Sequence, residues 1–287
     1  MTDTPPLSET MITEFIDRAL AEDVRDGDHT SLACIPSTAR HRAKLLIKDA
    51  GVVAGVELAQ QSIIRGDPEA QLQVFIEDGR AVDFGDIVFE VDCNARALLR
   101  AERLVLNTMQ RMSGIATLSN RFAFEVEDLP VKVLDTRKTT PLIRFLEKWA
   151  VRLGGCTNYR YGLYDRFMIK DNHVDACGGI REAIERVNTY KVEKQLDLPI
   201  TVEVRNLNEL DAVLDHGQVD RIMLDNFEVP LLREAVLTID GRFESEASGG
   251  ITIHTIRKVA MTGVEFISVG ALTHSAQSMD ISLKIIA

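Results

Sequence analysis

The chain has 287 residues, 45% hydrophobic and 27% charged, with a formal net charge of -11. That is globular composition with length for one large domain or two medium ones, and the acidic balance opposes a broad nucleic-acid surface. The polar N-terminus predicts no signal peptide, and no apolar run approaches the about 20 residues of a membrane span. Cys34, Cys93, Cys156 and Cys177 form no CxxC pair, which argues against a zinc site or a disulfide framework and fits a reducing cytoplasm.

In chain order, Leu7, Met11, Phe15, Ile16, Ala19 and Leu20 predict an opening amphipathic helix. Residues 22–30 are rich in acids but miss the EF-hand spacing, so they read as a capped turn. Residues 43–48, 71–77 and 86–91 read as strands punctuated by glycines, with a helix over 56–64. Residues 95–112 predict a strong helix, with Ser113-Gly114 expected to break it before a second helical stretch over 115–126. Arg103 lies among apolar residues of that helix, either as a snorkelling side chain or as an anion ligand for a neighbour.

From residue 131 the pattern repeats: a short apolar run, a polar or glycine end, then a helix. The runs cover 131–134, 167–169, 200–204, 221–224, 243–247 and 266–269, with helices over 180–190, 207–214 and 252–261 between them. Alternating strand and helix means parallel strands with right-handed crossovers, and six or seven units suggest a closed or partly open barrel. Thr140 is expected to cap a further helix with Pro141 at its first position, stopped by Gly154 and Gly155.

Residues 135–173 carry eight basic and four acidic residues, a net +4 inside this acidic chain. A cationic island of this kind suits a small anion. Arg137, Lys138 and Lys170 fall at or just past strand ends, with Arg160 between them; Glu203 and Asp225 fall at later ends. Two neighbouring carboxylates could hold Mg²⁺, a hard ion that also takes water and phosphate oxygens. Ser248-Gly249-Gly250 and Gly270 are small turns whose bare N–H groups can surround a phosphate. Singly, each has a plainer reading: a turn, a helix cap at Asp225, a surface pair between Lys138 and Asp135, a loop histidine at His173. Together they describe a phosphorylated sugar, a metal-bound diphosphate and a second, carboxylate-bearing anion.

Long motifs then run in order along nearly the whole chain. They are Glu22-Asp23 with Gly27-Asp28 and Thr30, Glu102-Arg103 with Leu106-Asn107, Ser113-Gly114-Ile115-Ala116-Thr117 and Asp135-Thr136-Arg137-Lys138-Thr139. Gly162-Leu163 with Asp165, Ile169-Lys170-Asp171-Asn172-His173, Leu224-Asp225-Asn226 and Ala247-Ser248-Gly249-Gly250-Ile251 follow. With these the chain resembles the quinolinate phosphoribosyltransferases, the carboxylating nicotinate-nucleotide diphosphorylases. The molybdenum-associated phosphoribosyltransferase-like proteins share part of the pattern and are the homologous alternative.

The resemblance implies an N-terminal α/β sandwich over residues 1–117 and a seven-stranded open α/β barrel over 118–287, with a C-terminal helix packing back on the first domain. It implies a cytoplasmic homodimer in which one chain's sandwich caps the other's barrel. The implied reaction joins quinolinate to phosphoribosyl diphosphate with Mg²⁺, giving nicotinate mononucleotide, diphosphate and CO₂. Arg103, Arg137, Tyr159 and Arg160 would bind quinolinate; Lys138 and Lys170 could also reach diphosphate. Glu203 and Asp225 would hold the metal or the ribose, and Ser248, Gly249, Gly250, Ser268 and Gly270 the 5-phosphate. Lys138, Lys170, Glu203 and Asp225 are the expected catalytic residues. The pattern departs at Tyr159, where the family usually has histidine, and at Thr201, where many members have glutamate. A lysine Schiff-base aldolase using Lys138 or Lys170, and a non-catalytic quinolinate or nucleotide sensor, are the readings from other classes.

Overall fold

The computed structural model describes residues 8–286, so Leu7 lies outside the described residues. The chain divides into two compact units. One comprises residues 8–120, Thr140–Gly155 and 275–286; the other comprises Arg121–Thr139 and Cys156–His274.

The first unit is built on a four-stranded sheet in the order Ile281–Ile286, Arg40–Ile47, Ile87–Asn94, Gln71–Val74, antiparallel throughout. Side chains alternate across a strand, so Ala43, Leu45 and Ile47 are fully buried while Lys44 and Leu46 are only partly covered. Leu45 lies opposite Phe89 on one side and Leu283 on the other. The expected C-terminal helix is therefore a strand. Ile281 to Ile286 is short and rich in β-branched residues, and an open sheet edge on Arg40–Ile47 satisfies its backbone. Gly51–Val52 and Ala81–Val82 form a separate small ribbon.

The helices of this unit are Glu9–Val24, His29–Cys34, Val56–Gly66, most of Ala95–Phe124, and Arg144–Leu153. Ser8 and Asp28 cap the first two by accepting from Met11 N and Ser31 N. The break expected at Ser113-Gly114 does not occur. The Ser113 hydroxyl is buried and bonds to Ala54 N at 2.9 Å and Ala54 O at 3.2 Å. A Cβ on Gly114 would stand 1.9 Å from Gln277 O, so this glycine permits a close approach. One interior glycine costs about 1 kcal/mol, which a 30-residue packed helix absorbs. The helix expected from Pro141 begins later, at Arg144, because Leu142 takes a left-handed φ of 70°.

The second unit is a six-stranded parallel sheet in the order Lys132–Leu134, Phe266–Ser268, Glu244–Ser248, Arg221–Asp225, Ile200–Val204, Phe167–Ile169. Thr157 adds a one-residue parallel bridge beside Leu134, the seventh position of an α/β barrel left open between Thr157 and Phe167–Ile169. Helices Asp171–Cys177, Ile180–Glu193, Leu207–His216, Val229–Ile239, Ile256–Ala260 and Ala271–His274 make the connections. Ile200–Val204 is buried at every residue, as a barrel strand covered on both faces must be.

Candidate active site

Asp135 fixes the cationic corner. It is fully buried just after Lys132–Leu134, and its carboxylate accepts from Asn158 Nδ2 at 2.6 Å and Tyr159 N at 2.8 Å. The acid thus ties the strand end to residues 158–160 and sets Arg137 and Arg160 on one wall, instead of pairing with Lys138. Arg160 is 8% exposed, and its Nη1 reaches only the Arg166 carbonyl, at 3.4 Å. Burial, then the positive charges of Arg137 and Arg166, push the Arg160 pKa down. Arg137 Nε is buried and has no hydrogen-bond partner. Guanidinium groups that repel one another and leave a buried nitrogen without an acceptor are arranged for an anion.

Lys170, at the end of Phe167–Ile169, forms a tight ion pair with Glu203 Oε2. Its backbone N–H donates to His173 Nδ1 at 2.9 Å, so His173 serves as a helix cap. At the next strand end Asp225 accepts from Ser248 Oγ and Asn226 Nδ2, both at 2.6 Å. Asn226 takes a left-handed φ of 57°, and Gly249 one of 96°. A Cβ on Gly249 would also lie 2.2 Å from Asn226 Oδ1, so only glycine fits the turn. Gly270 is confined in the same way: its Cβ would lie 2.9 Å from Lys138 Cδ and 3.2 Å from His274 Nε2. Lys138 is exposed, and its backbone carbonyl is held by Thr273 Oγ1 at 2.8 Å.

The structure therefore brings Arg137, Lys138, Arg160, Lys170, Glu203, Asp225, Ser248, Gly249, Gly250 and Gly270 to the C-terminal ends of successive strands. Ser268 and Tyr159 are placed differently, with their hydroxyls turned into the protein. Ser268 donates to Glu246, and Tyr159, 6% exposed, bonds to Thr201 Oγ1 at 3.0 Å. The two positions that depart from the usual pattern thus touch each other. Arg103 belongs to the first unit, on the surface of the long helix, and reaches Glu102 at 3.2 Å. Sequence reasoning missed His274; its place four residues after Gly270, on the helix that follows, was the available signal. It also missed Arg221 and Glu246, and took Arg166 only as one of the cations of residues 135–173.

No group of three or more His, Cys, Asp or Glu side chains fit to hold a metal occurs among the described residues. Glu203 is engaged by Lys170, and Asp225 by Ser248 and Asn226. No helix among the described residues is long and apolar enough to cross a membrane.

An open parallel barrel with a buried and a half-buried guanidinium group, two lysines, two carboxylates and glycine turns at its strand ends defines an α/β-barrel protein that handles small anionic ligands. Residues 28–113 match the N-terminal domain of quinolinate phosphoribosyl transferase, and residues 115–284 match its C-terminal domain. The chain belongs to that family. It is 44% identical to the chloroplastic nicotinate-nucleotide pyrophosphorylase [carboxylating] of Arabidopsis thaliana, over 98% of this chain and 85% of that one. Against NadC from Streptococcus pyogenes the TM-score is 0.91 at 35% identity, covering 99% of this chain and 100% of the other. The nicotinate-nucleotide pyrophosphorylase from Francisella tularensis gives 0.90 at 34%, covering 98% of each.

Proposed function

We propose that this chain transfers the phosphoribosyl group of phosphoribosyl diphosphate to quinolinate and releases CO₂, giving nicotinate mononucleotide in NAD biosynthesis. The observation that carries the reading is the Arg137–Arg160 corner, where Arg160 is buried and the buried Arg137 Nε has no protein acceptor. Quinolinate brings two adjacent carboxylates, and planar guanidinium forks match them better than point charges do. Ser248, Gly249, Gly250 and Gly270 hold the 5-phosphate with backbone N–H groups, while Lys138 and Lys170 neutralise diphosphate. Glu203 and Asp225 would hold Mg²⁺, which supplies charge stabilisation for the departing diphosphate. Their carboxylates also favour the positive charge that grows at the ribosyl carbon. Once the ring nitrogen is ribosylated, the cationic ring stabilises the carbanion left by decarboxylation, and a proton from solvent water then takes the place of the lost carboxylate. The second step therefore needs little acid–base help.

The same reading makes the working unit a cytoplasmic homodimer in which Arg103 of one chain serves the other chain's barrel. Arg103 has room for that role, since its side chain is 61% exposed. The assay is quinolinate, phosphoribosyl diphosphate and Mg²⁺ with CO₂ release followed; folded protein that binds quinolinate without turnover would be a sensor instead. Nicotinate, with one carboxylate, should be used far less well, and equal turnover of both acids would overturn the assignment of Arg137 and Arg160. For the shared site, Arg103→Ala and Lys138→Ala chains are mixed. Random pairing should restore about a quarter of the activity, since half the dimers are mixed and each has one intact site. No recovery, with mixed dimers confirmed by mass, would leave Arg103 in its own chain's site.

A further inference from the structure

Beneath the strand ends polar side chains share the barrel with the apolar cluster of Leu134, Met168, Met223 and Phe266. Arg166, Thr201, Tyr159, Glu246, Arg221 and Ser268 lie there, each 8% exposed or less. Hydrogen bonds join them, and in the Tyr159–Thr201 bond either hydroxyl can donate. Arg166 Nη1 donates to Thr201 Oγ1 at 3.0 Å, so the threonine's single proton is free to go to Tyr159 Oη, also at 3.0 Å. Glu246, whose own pKa is pushed up by burial, lies beside the phenol. Glu246 accepts from Arg221 Nη1 at 3.1 Å and from Ser268 Oγ. The Arg166 and Arg221 guanidinium carbons stand 5.6 and 5.2 Å from the centre of the Tyr159 ring. Burial and the negative Glu246 push the phenol's pKa up, so it stays a neutral hydroxyl that can both accept and donate.

The layer meets the site at several points. Strand side chains repeat every two residues, so Thr201 shares a face with Glu203 and Glu246 with Ser248, one rung further from the strand ends. Tyr159 adjoins Arg160, and the Arg166 carbonyl accepts from Arg160 Nη1. We propose that Tyr159 and Thr201 are positioning residues of the active site: with Arg166, Arg221 and Glu246 they form one hydrogen-bonded layer that fixes Arg160 and Glu203 from below. The hydroxyl of Tyr159 acts on the protein and not on the ligand.

This inference rests on the proposed binding of quinolinate, and the test separates the two. Tyr159→Phe and Thr201→Val each delete one hydroxyl while keeping shape. Quinolinate affinity is measured by calorimetry on the full-length protein, KM and kcat by CO₂ release, and the thermal midpoint for each variant. Each single change should weaken quinolinate about tenfold with a much smaller change in kcat, and the double variant should be no worse than the weaker single one. Thr201→Ser, which keeps the hydroxyl, should restore the affinity. Losses that multiply to about a hundredfold in the double variant would mean independent residues and overturn the layer. A lower thermal midpoint with quinolinate affinity unchanged would make the layer structural only, and would equally overturn the proposal. If the unaltered chain itself fails to bind quinolinate, the proposed function fails first and the layer's role falls with it.

Discussion

Each unit buries charge, and Glu147 in the first and the Arg137–Arg160 corner in the second do so in opposite ways. In the first unit Glu147 is fully buried and accepts four hydrogen bonds: from Arg111 Nε and Nη2, at 3.0 and 2.7 Å, and from Thr140 N and Oγ1, at 3.0 and 2.9 Å. Its valence is saturated by the protein. In the barrel unit Arg137 and Arg166 each keep a buried Nε without a partner, and Arg160 is destabilised by its surroundings. A closed charge of the first kind holds structure; an open one of the second kind waits for a ligand. Stability and activity should therefore respond in opposite senses when the two are cut.

Glu147→Ala is the largest expected effect. Breaking a buried pair from one side costs about 3–5 kcal/mol, and the lower end applies because Arg111 remains 26% exposed and can recover some water. Denaturant unfolding should show that loss, and whatever protein remains folded should keep its KM for quinolinate. A stability change under 1 kcal/mol would mean that the saturated carboxylate is replaceable and the contrast between the units is false.

Arg160→Leu should behave in the opposite way. Removing one fork of a desolvated charge pair weakens quinolinate by about 2–5 kcal/mol, while the thermal midpoint stays level or rises as a repelling cation is lost. Quinolinate calorimetry and a melting curve on the same sample read both. A fall in the midpoint with affinity intact would make Arg160 a structural residue.

These two residues also mark what could be read from the chain alone. Arg160, Lys170, Glu203, Asp225 and the Ser248-Gly249-Gly250 turn were legible, because strand ends can be located from short apolar runs and chemistry gathers at one barrel face. Glu147 was not, for its donors come from seven residues upstream and from a helix 36 residues away. The Tyr159–Thr201 bond spans 42 residues and depends on which rung of the barrel each occupies. Parallel strands were readable from alternation. The strand at Ile281–Ile286 was not, since its partner, Arg40–Ile47, lies at the other end of the chain.

The unbroken helix offers a sharper cut within the first unit. A methyl group on Gly114 has nowhere to go beside the Gln277 backbone. Gly114→Ala gains helix propensity of about 1 kcal/mol but meets overpacking of about 1–3 kcal/mol, so the net change should be a modest destabilisation. If the variant is more stable by urea unfolding, the close approach at Gln277 relaxes easily, and a helix-breaking reading of Ser113-Gly114 misjudged only the helix.

The smallest effect tests the barrel unit's surface. Arg257 grips Asp128 with two hydrogen bonds of 2.8 Å and also donates to the Glu125 carbonyl. The Arg257 hydrogen bond is the main cause that lowers the Asp128 pKa from 3.8 to about 2. A carboxyl whose folded pKa is depressed stabilises the fold above its unfolded value and loses that contribution as pH falls through the folded one. The contribution of this pair should be complete above about pH 4 and fade between about pH 4 and 2. Because the pair is solvent-exposed, it should also shrink in 1 M salt. Asp128→Asn should therefore lower the thermal midpoint slightly at pH 7 and less at pH 2.5, where the unfolded carboxyl is protonated and most of the pair's contribution has faded. A difference that persists unchanged at both pH values, or in high salt, would show that Asp128 acts by hydrogen bonding at the Glu125 turn rather than by charge.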